Sequence, residues 1–82
     1  MVKKPIDIDS YEYKIGQNIA RIRNKNGLTQ SAMEDYGISR AYLGRIELGL
    51  HSLTLRKLTI VARALSVNVV DFFYDKNGKP IR

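Results

Sequence analysis

Two arginines, Arg40 and Arg45, lie on one side of a short stretch that the sequence marks as helical. At about 100° per residue, Ala41 and Gly44 fall on the same arc, and apolar residues fall on the opposite one. An arginine fork can donate two hydrogen bonds to O6 and N7 of a guanine, which discriminates against a wrong base by about 1–3 kcal/mol. We therefore interpret Arg40 and Arg45 as base-reading residues rather than as an ordinary solvated face, with Ala41 and Gly44 lining the surface that meets DNA.

Gly44 occupies the middle of this stretch, where a glycine costs about 1 kcal/mol of helix propensity relative to alanine. Two explanations are open at this point. The helix backbone approaches DNA closely at Gly44, or a neighbouring helix packs closely against it.

The overall charge agrees with a polyanionic partner. Fourteen Lys and Arg residues against eight Asp and Glu give a net charge of +6 and a pI near 9.8. Such a balance suits either nucleic acid or an anionic membrane surface. Residues 14–74 carry nine basic and four acidic residues, so the folded body rather than a tail holds most of the excess. Together with the arginine arc, this distribution favours double-stranded DNA over a membrane.

Length and composition exclude several other classes. Eighty-two residues suffice for one domain but not for two, and a domain this small rarely encloses a deep catalytic cavity. The chain has no cysteine and one histidine, and it has no phosphate-cradling glycine loop. We therefore expect no enzyme activity, no metal site and no small-molecule cofactor. The absence of cysteine and of an apolar leader favours a cytoplasmic location.

Helical spacing of apolar residues recurs along the chain, and no segment shows the alternation of a strand. It predicts a compact all-α fold of five helices, over residues 9–26, 29–37, 39–49, 54–65 and 68–74. Residues 1–13 are predicted as an N-terminal arm, 14–74 as the domain and 75–82 as a C-terminal tail. Helices two and three flank a turn at Gly37, the arrangement of a helix-turn-helix whose second helix enters the major groove.

Several short segments form a combined pattern that is more specific than any one of them. They are Ile15-Gly16-Gln17-Asn18-Ile19, Gly27-Leu28-Thr29-Gln30, Gly37-Ile38-Ser39-Arg40, Ile46-Glu47 and Phe72-Phe73. Over residues 14–74 the chain resembles the lambda-repressor-like, Xre-type helix-turn-helix family. The spacing from Ile46-Glu47 to Thr54-Leu55 resembles the controller proteins of restriction-modification systems in particular. One departure is that six residues, rather than the family's usual seven, separate Gln30 from Gly37.

The resemblance implies roles for individual residues. Arg23 and Glu47 would form a buried structural ion pair between helix one and the end of the recognition helix. Gln30 would bind phosphate and brace the recognition side chains. The other positioning residues would be Ser39 and Tyr42, whose hydroxyls contact the DNA backbone or the groove edge, and His51, which contacts phosphate. For Tyr42 the alternative is a ring that completes the core, and for His51 it is a plain exposed loop histidine.

The apolar ending of the domain predicts self-association. The segment contains more apolar surface than so small a core needs, and its residues are Val69, Val70, Phe72, Phe73 and Tyr74. We expect either Phe72 or Phe73 to be buried within the monomer. The remainder predicts a homodimer interface, so that two copies bind two operator half-sites. The predicted function is thus a homodimeric, sequence-specific transcriptional regulator, with the restriction-modification controller as its specific form. The alternative is an antitoxin-type protein that neutralises a toxin and binds DNA secondarily.

Overall fold

The computed structural model describes residues 5–82, where three α-helices and two short 3₁₀ segments follow one another. The α-helices are α1 (Tyr11–Lys25), α2 (Arg40–Glu47) and α3 (Leu55–Leu65). The 3₁₀ segments are Ser31–Tyr36 and Val69–Phe73. Residues 1–4 of the predicted N-terminal arm lie outside the described residues, and Tyr11–Tyr13 belong to α1.

The prediction of five α-helices is therefore wrong, because the second and fifth segments are 3₁₀ turns. The second segment has one residue fewer between Gln30 and Gly37 than is usual in the family that the sequence resembles. A 3₁₀ helix rises about 2.0 Å per residue against about 1.5 Å for an α-helix, so the shorter segment covers a comparable distance. The fifth segment has only five residues, too few for a stable α-helix of its own. The compact helical architecture and the two-helix motif around Gly37 agree with the prediction.

A hydroxyl side chain caps the start of each α-helix. Ser10 Oγ accepts from the backbone N–H of Tyr13 at 3.1 Å, and Ser39 and Thr54 cap α2 and α3 in the same way. These bonds satisfy backbone donors that have no partner within the helix. Gly37, with a φ of +82°, closes the first 3₁₀ segment and turns the chain towards α2.

The core is built from one side of each element. Its fully buried large side chains come from all five elements, and they are Ile19, Met33, Leu43, Ile46, Val61 and Phe72. Phe72 is thus the phenylalanine buried within the monomer, and Phe73 is half-buried. Asn18 extends the packing by donating from Nδ2 to the carbonyl of Phe72 at 2.8 Å.

After the second 3₁₀ segment the chain folds back on itself as a C-terminal hairpin (residues 73–81). The backbone N–H of Ile81 donates to the carbonyl of Phe73 at 2.9 Å, and Asp75 and Lys79 pair at the turn. Asp75 Oδ1 also accepts from the backbone N–H groups of Lys79 and Asn77, which lowers the pKa of that carboxyl below its ordinary value. Ile81 packs against the core, so these residues form part of the folded domain.

Candidate nucleic-acid interface

The outward face of α2 is open. Arg40, Ala41 and Arg45 are exposed and Gly44 is partly exposed, whereas Leu43 and Ile46 are buried on the opposite side. The structure thus brings the four predicted DNA-facing residues of this helix to one surface. Because Ser39 caps the helix and two core residues anchor it, the arginine side chains extend from a fixed backbone.

Gly44 does not serve helix packing. A Cβ atom there would meet only the side-chain amide of Gln30, at 3.9 Å. The close helix crossing lies at Gly16 instead, where a Cβ would lie 2.2 Å from the carbonyl oxygen of Ile46 and 2.8 Å from that of Glu47. The residue-by-residue reading of the sequence missed this role, although a glycine directly beside the apolar stripe of α1 was a usable signal.

A buried ionic network lies behind the open face. Arg23 Nε donates to Glu47 Oε2 at 2.7 Å and Arg23 Nη2 donates to Glu47 Oε1 at 3.0 Å, so the guanidinium and carboxylate meet as a fork. Arg23 Nη1 donates to the carbonyl of Leu28 at 2.8 Å. The network joins the end of α1, the following loop and the last turn of α2, which fixes the orientation of α2.

Gln30 is part of the same network. Its Nε2 donates to Glu47 Oε1 at 2.9 Å, which holds the amide beside Gly44 on the partly exposed side of α2. The second N–H of the amide takes no part in that bond and can donate to a phosphate oxygen. Gln30 and Arg40 also line one shallow depression at the start of the motif.

Tyr42 and His51 lie together at the other side of α2. Their ring centroids are 5.1 Å apart, and Lys57 Nζ lies 5.6 Å from the centroid of the Tyr42 ring. Ser39 Oγ accepts from the backbone N–H of Tyr42, while its own O–H proton can still be donated. The sequence analysis did not select Lys57 as a DNA-contacting candidate. The available signal was its position in the first turn of α3, directly after the loop that contains His51.

The four predicted dimer residues differ in their exposure. Val70 is 54% exposed and Tyr74 is 41% exposed, while Val69 and Phe73 are half-buried. Ile60 on α3, which the sequence reasoning did not select, is 47% exposed.

In residues 5–82, no helix has the length and apolar character needed to cross a bilayer.

Three comparisons with known proteins identify similar chains. The family model described as "Helix-turn-helix" matches residues 19–72. An uncharacterized HTH-type transcriptional regulator, y4dJ of Sinorhizobium fredii, is 40% identical over 67 residues, which span 80% of this chain and 87% of that protein. The control protein C.SmaI of Serratia marcescens is 34% identical over 56 residues, which span 67% of each chain.

A similar fold is known from a crystal structure. The restriction-modification controller protein C.AhdI of Aeromonas hydrophila superposes with a TM-score of 0.74 at 28% identity. The superposition covers 82% of this chain and 99% of that one.

Proposed function

The chain belongs to the helix-turn-helix family, whose members bind DNA, and from that premise we propose that it is a homodimeric, sequence-specific transcriptional regulator. The observation that carries the proposal is the face of α2. Two exposed arginines flank Ala41 and Gly44 on a helix whose other side is fixed in the core. A helix of this kind fits the major groove, because its small residues let the backbone approach while Arg40 and Arg45 reach base edges.

The remaining polar residues around α2 position the helix on the duplex. Gln30 and Ser39 lie near its start, and Tyr42, His51 and Lys57 lie beside its other flank. In the proposal they contact phosphates, which fixes register without reading sequence. The positive charge of Lys57 adds a long-range attraction to the DNA backbone, so affinity falls with salt.

Two copies form the functional unit in this proposal. One short recognition helix reads few base pairs, and a two-fold dimer joins two half-sites about 34 Å apart, one helical turn of DNA. The surface that fits this role is the apolar end of the domain, where Val70 and Tyr74 are exposed and Val69 and Phe73 are partly so.

The specific form of the proposal is a controller of a restriction-modification system. Two of the similar proteins, C.SmaI and C.AhdI, are named as control or controller proteins, and the latter shares the fold. The test is genetic. Loss of the protein changes the transcript level of a neighbouring endonuclease or methyltransferase gene if the proposal is right, and the absence of such a gene, or unchanged transcripts, contradicts it.

The DNA-binding claim has a direct biochemical test. A duplex enriched from a random pool and a scrambled duplex of the same composition compete for the protein at physiological salt. The account expects a preference of at least about a thousandfold for the enriched duplex, as is typical of specific regulators. Equal affinity for the two duplexes overturns the claim of sequence specificity.

A further inference from the structure

A second basic surface lies away from α2, in a groove between α1 and the C-terminal hairpin. We call it the C-terminal groove. Five cationic side chains line it, and they are Lys14, Arg21, Lys76, Lys79 and Arg82. Asp75 is the one carboxylate among its lining residues, so the groove carries a strong positive excess.

The cations of the C-terminal groove are only partly compensated within the domain, because Asp75 is the one acidic side chain among the described residues that acts on them, at Lys79 and Arg21. In the part of the chain that the structure describes, the one ion pair is Arg23 with Glu47, outside this groove. Asp75 is held by two backbone N–H groups at the hairpin turn. Lys14 Nζ donates to the main-chain oxygen of Arg82, the last residue, and Arg21 Nη2 donates to the carbonyl of Tyr74.

Arg21 supplies a second observation at the groove. Its Nε atom is buried and has no hydrogen-bond partner. Buried donors of folded proteins nearly always have a partner, and those without one call for a ligand or water at the site. A guanidinium N–H makes its strongest hydrogen bonds to an anionic oxygen, of a carboxylate or of a phosphate.

The spread of the charges sets the size of the ligand. Lys14 and Arg21 are two helical turns apart, which separates them by about 10 Å along α1. One carboxylate cannot reach both ends, whereas an extended peptide places side chains on one side about every 7 Å. The groove also has an apolar lining from Ile8, Tyr13 and Ile81, which neither a simple anion nor a phosphate backbone would cover.

The position of the C-terminal groove leaves the DNA-binding face free. Gly16 marks the side of α1 that contacts α2, and Lys14 and Arg21 lie roughly 150° around the helix from it. No residue of the groove belongs to the predicted DNA-contacting set. We propose that the C-terminal groove binds an acidic, partly apolar peptide segment of a partner protein while α2 is on DNA.

The test measures the binding of a fluorescein-labelled peptide, in which glutamates flank a central leucine, by fluorescence anisotropy. The double variant Lys76→Gln with Lys79→Gln removes two exposed charges whose side chains form no hydrogen bond among residues 5–82. It is expected to bind the peptide about tenfold more weakly, two moderate charge contacts being lost. The matched control, Lys25→Gln with Arg63→Gln, has the same net charge and is expected to bind as the parent does.

Two further measurements separate the proposal from its rivals. A peptide with glutamine in place of glutamate is expected not to bind, and the affinity for a DNA duplex is expected to fall equally in the two double variants. If the peptide does not bind the parent, or if both double variants lose it equally, the proposal is overturned. It is also overturned if the groove variant loses the duplex more than the control does, because the groove is then a DNA contact.

Discussion

At the residue scale, two glycines in mid-helix have opposite roles. A methyl group on Gly16 would collide with the main-chain oxygens of α2, which cannot move without shifting the helix. A methyl group on Gly44 would meet only the flexible side chain of Gln30, at an ordinary contact distance. Gly16 thus allows α1 and α2 to pack closely. Gly44 leaves the outer face of α2 without a projecting side chain at that position.

Gly16→Ala is expected to lower the free energy of unfolding by about 3 kcal/mol, at the upper end for overpacked sites. Gly44→Ala is expected to raise it by up to about 1 kcal/mol, because alanine favours a helix. Chemical denaturation followed by circular dichroism measures both. Equal effects of the two substitutions contradict the assignment of Gly16 to the helix crossing.

Gly44→Ala also separates stability from binding. If α2 approaches DNA closely, the added methyl group weakens binding to an enriched duplex by about tenfold, or about 1.4 kcal/mol, although the protein is more stable. Ser52→Ala, in an exposed loop position, is the matched control and leaves affinity near that of the parent. An affinity of Gly44→Ala equal to that of the parent shows that the backbone does not approach DNA there.

Glu47 is the acceptor that holds the network together. It takes two hydrogen bonds from Arg23 and one from Gln30, and both members of the ion pair are buried. Glu47→Gln is expected to destabilise the domain by about 3–5 kcal/mol, because a buried guanidinium then lacks its counter-charge. Chemical denaturation compares the free energy of unfolding of the single variant Glu47→Gln with that of the double variant Arg23→Met, Glu47→Leu, which removes both charges. If the single variant is no less stable than the double variant, the penalty does not come from the stranded charge.

The sequence identified some of these residues and not others, for a physical reason. The arcs of α2 follow from helical periodicity alone, so the positions of Arg40, Gly44 and Arg45 could be predicted. The roles of Gly16 and Lys57 depend on which atoms of a distant segment come near them. A local pattern can mark the two positions, but it does not say which distant atoms those are.

At the element scale, the number of residues between Gln30 and Gly37 decides which kind of helix forms there. The sequence from Gln30 to Gly37 predicts the turn at Gly37, but not that the segment before it is 3₁₀. Helical spacing does not distinguish a short α-helix from a 3₁₀ segment, since both bring residues three apart close together. Residues 75–82 are predicted only as a C-terminal tail, because their return along Phe73 depends on tertiary packing of Ile81.

The C-terminal hairpin depends on the carboxylate of Asp75. Its pKa is lowered in the folded chain, so its contribution is complete above the ordinary value of 3.8 and is lost as pH falls through the lowered folded value. Asp75→Ala is expected to reduce the protection of the Lys79 amide against hydrogen exchange at neutral pH, as measured by NMR.

The matched control for the hairpin is Asp35→Ala, an exposed carboxylate in the first 3₁₀ segment. It is expected to leave the protection of the Lys79 amide unchanged. If Asp75→Ala also leaves it unchanged, the hairpin does not rely on the side-chain acceptor at its turn.

At the scale of the whole molecule, two copies form the proposed functional unit. Val70→Glu places a charge in the proposed interface, and because Val70 is more than half exposed the monomer is expected to fold normally. Sedimentation equilibrium is expected to show a monomer, with weaker operator binding because only one half-site is held at a time. Tyr11→Glu, at an exposed aromatic on α1, is the control and stays dimeric. A dimeric Val70→Glu protein places the interface elsewhere.

The central claim is that the exposed face of α2 reads bases, and selection from a random duplex pool tests it most directly. The parent is expected to enrich a two-fold symmetric motif with half-sites one helical turn apart. Arg40→Ala and Arg45→Ala are each expected to lose preference at their own base position in both half-sites, at a cost of about 1–3 kcal/mol per lost pair, while the circular dichroism of the fold is unchanged. An unchanged motif in both variants, or no motif for the parent, contradicts the account.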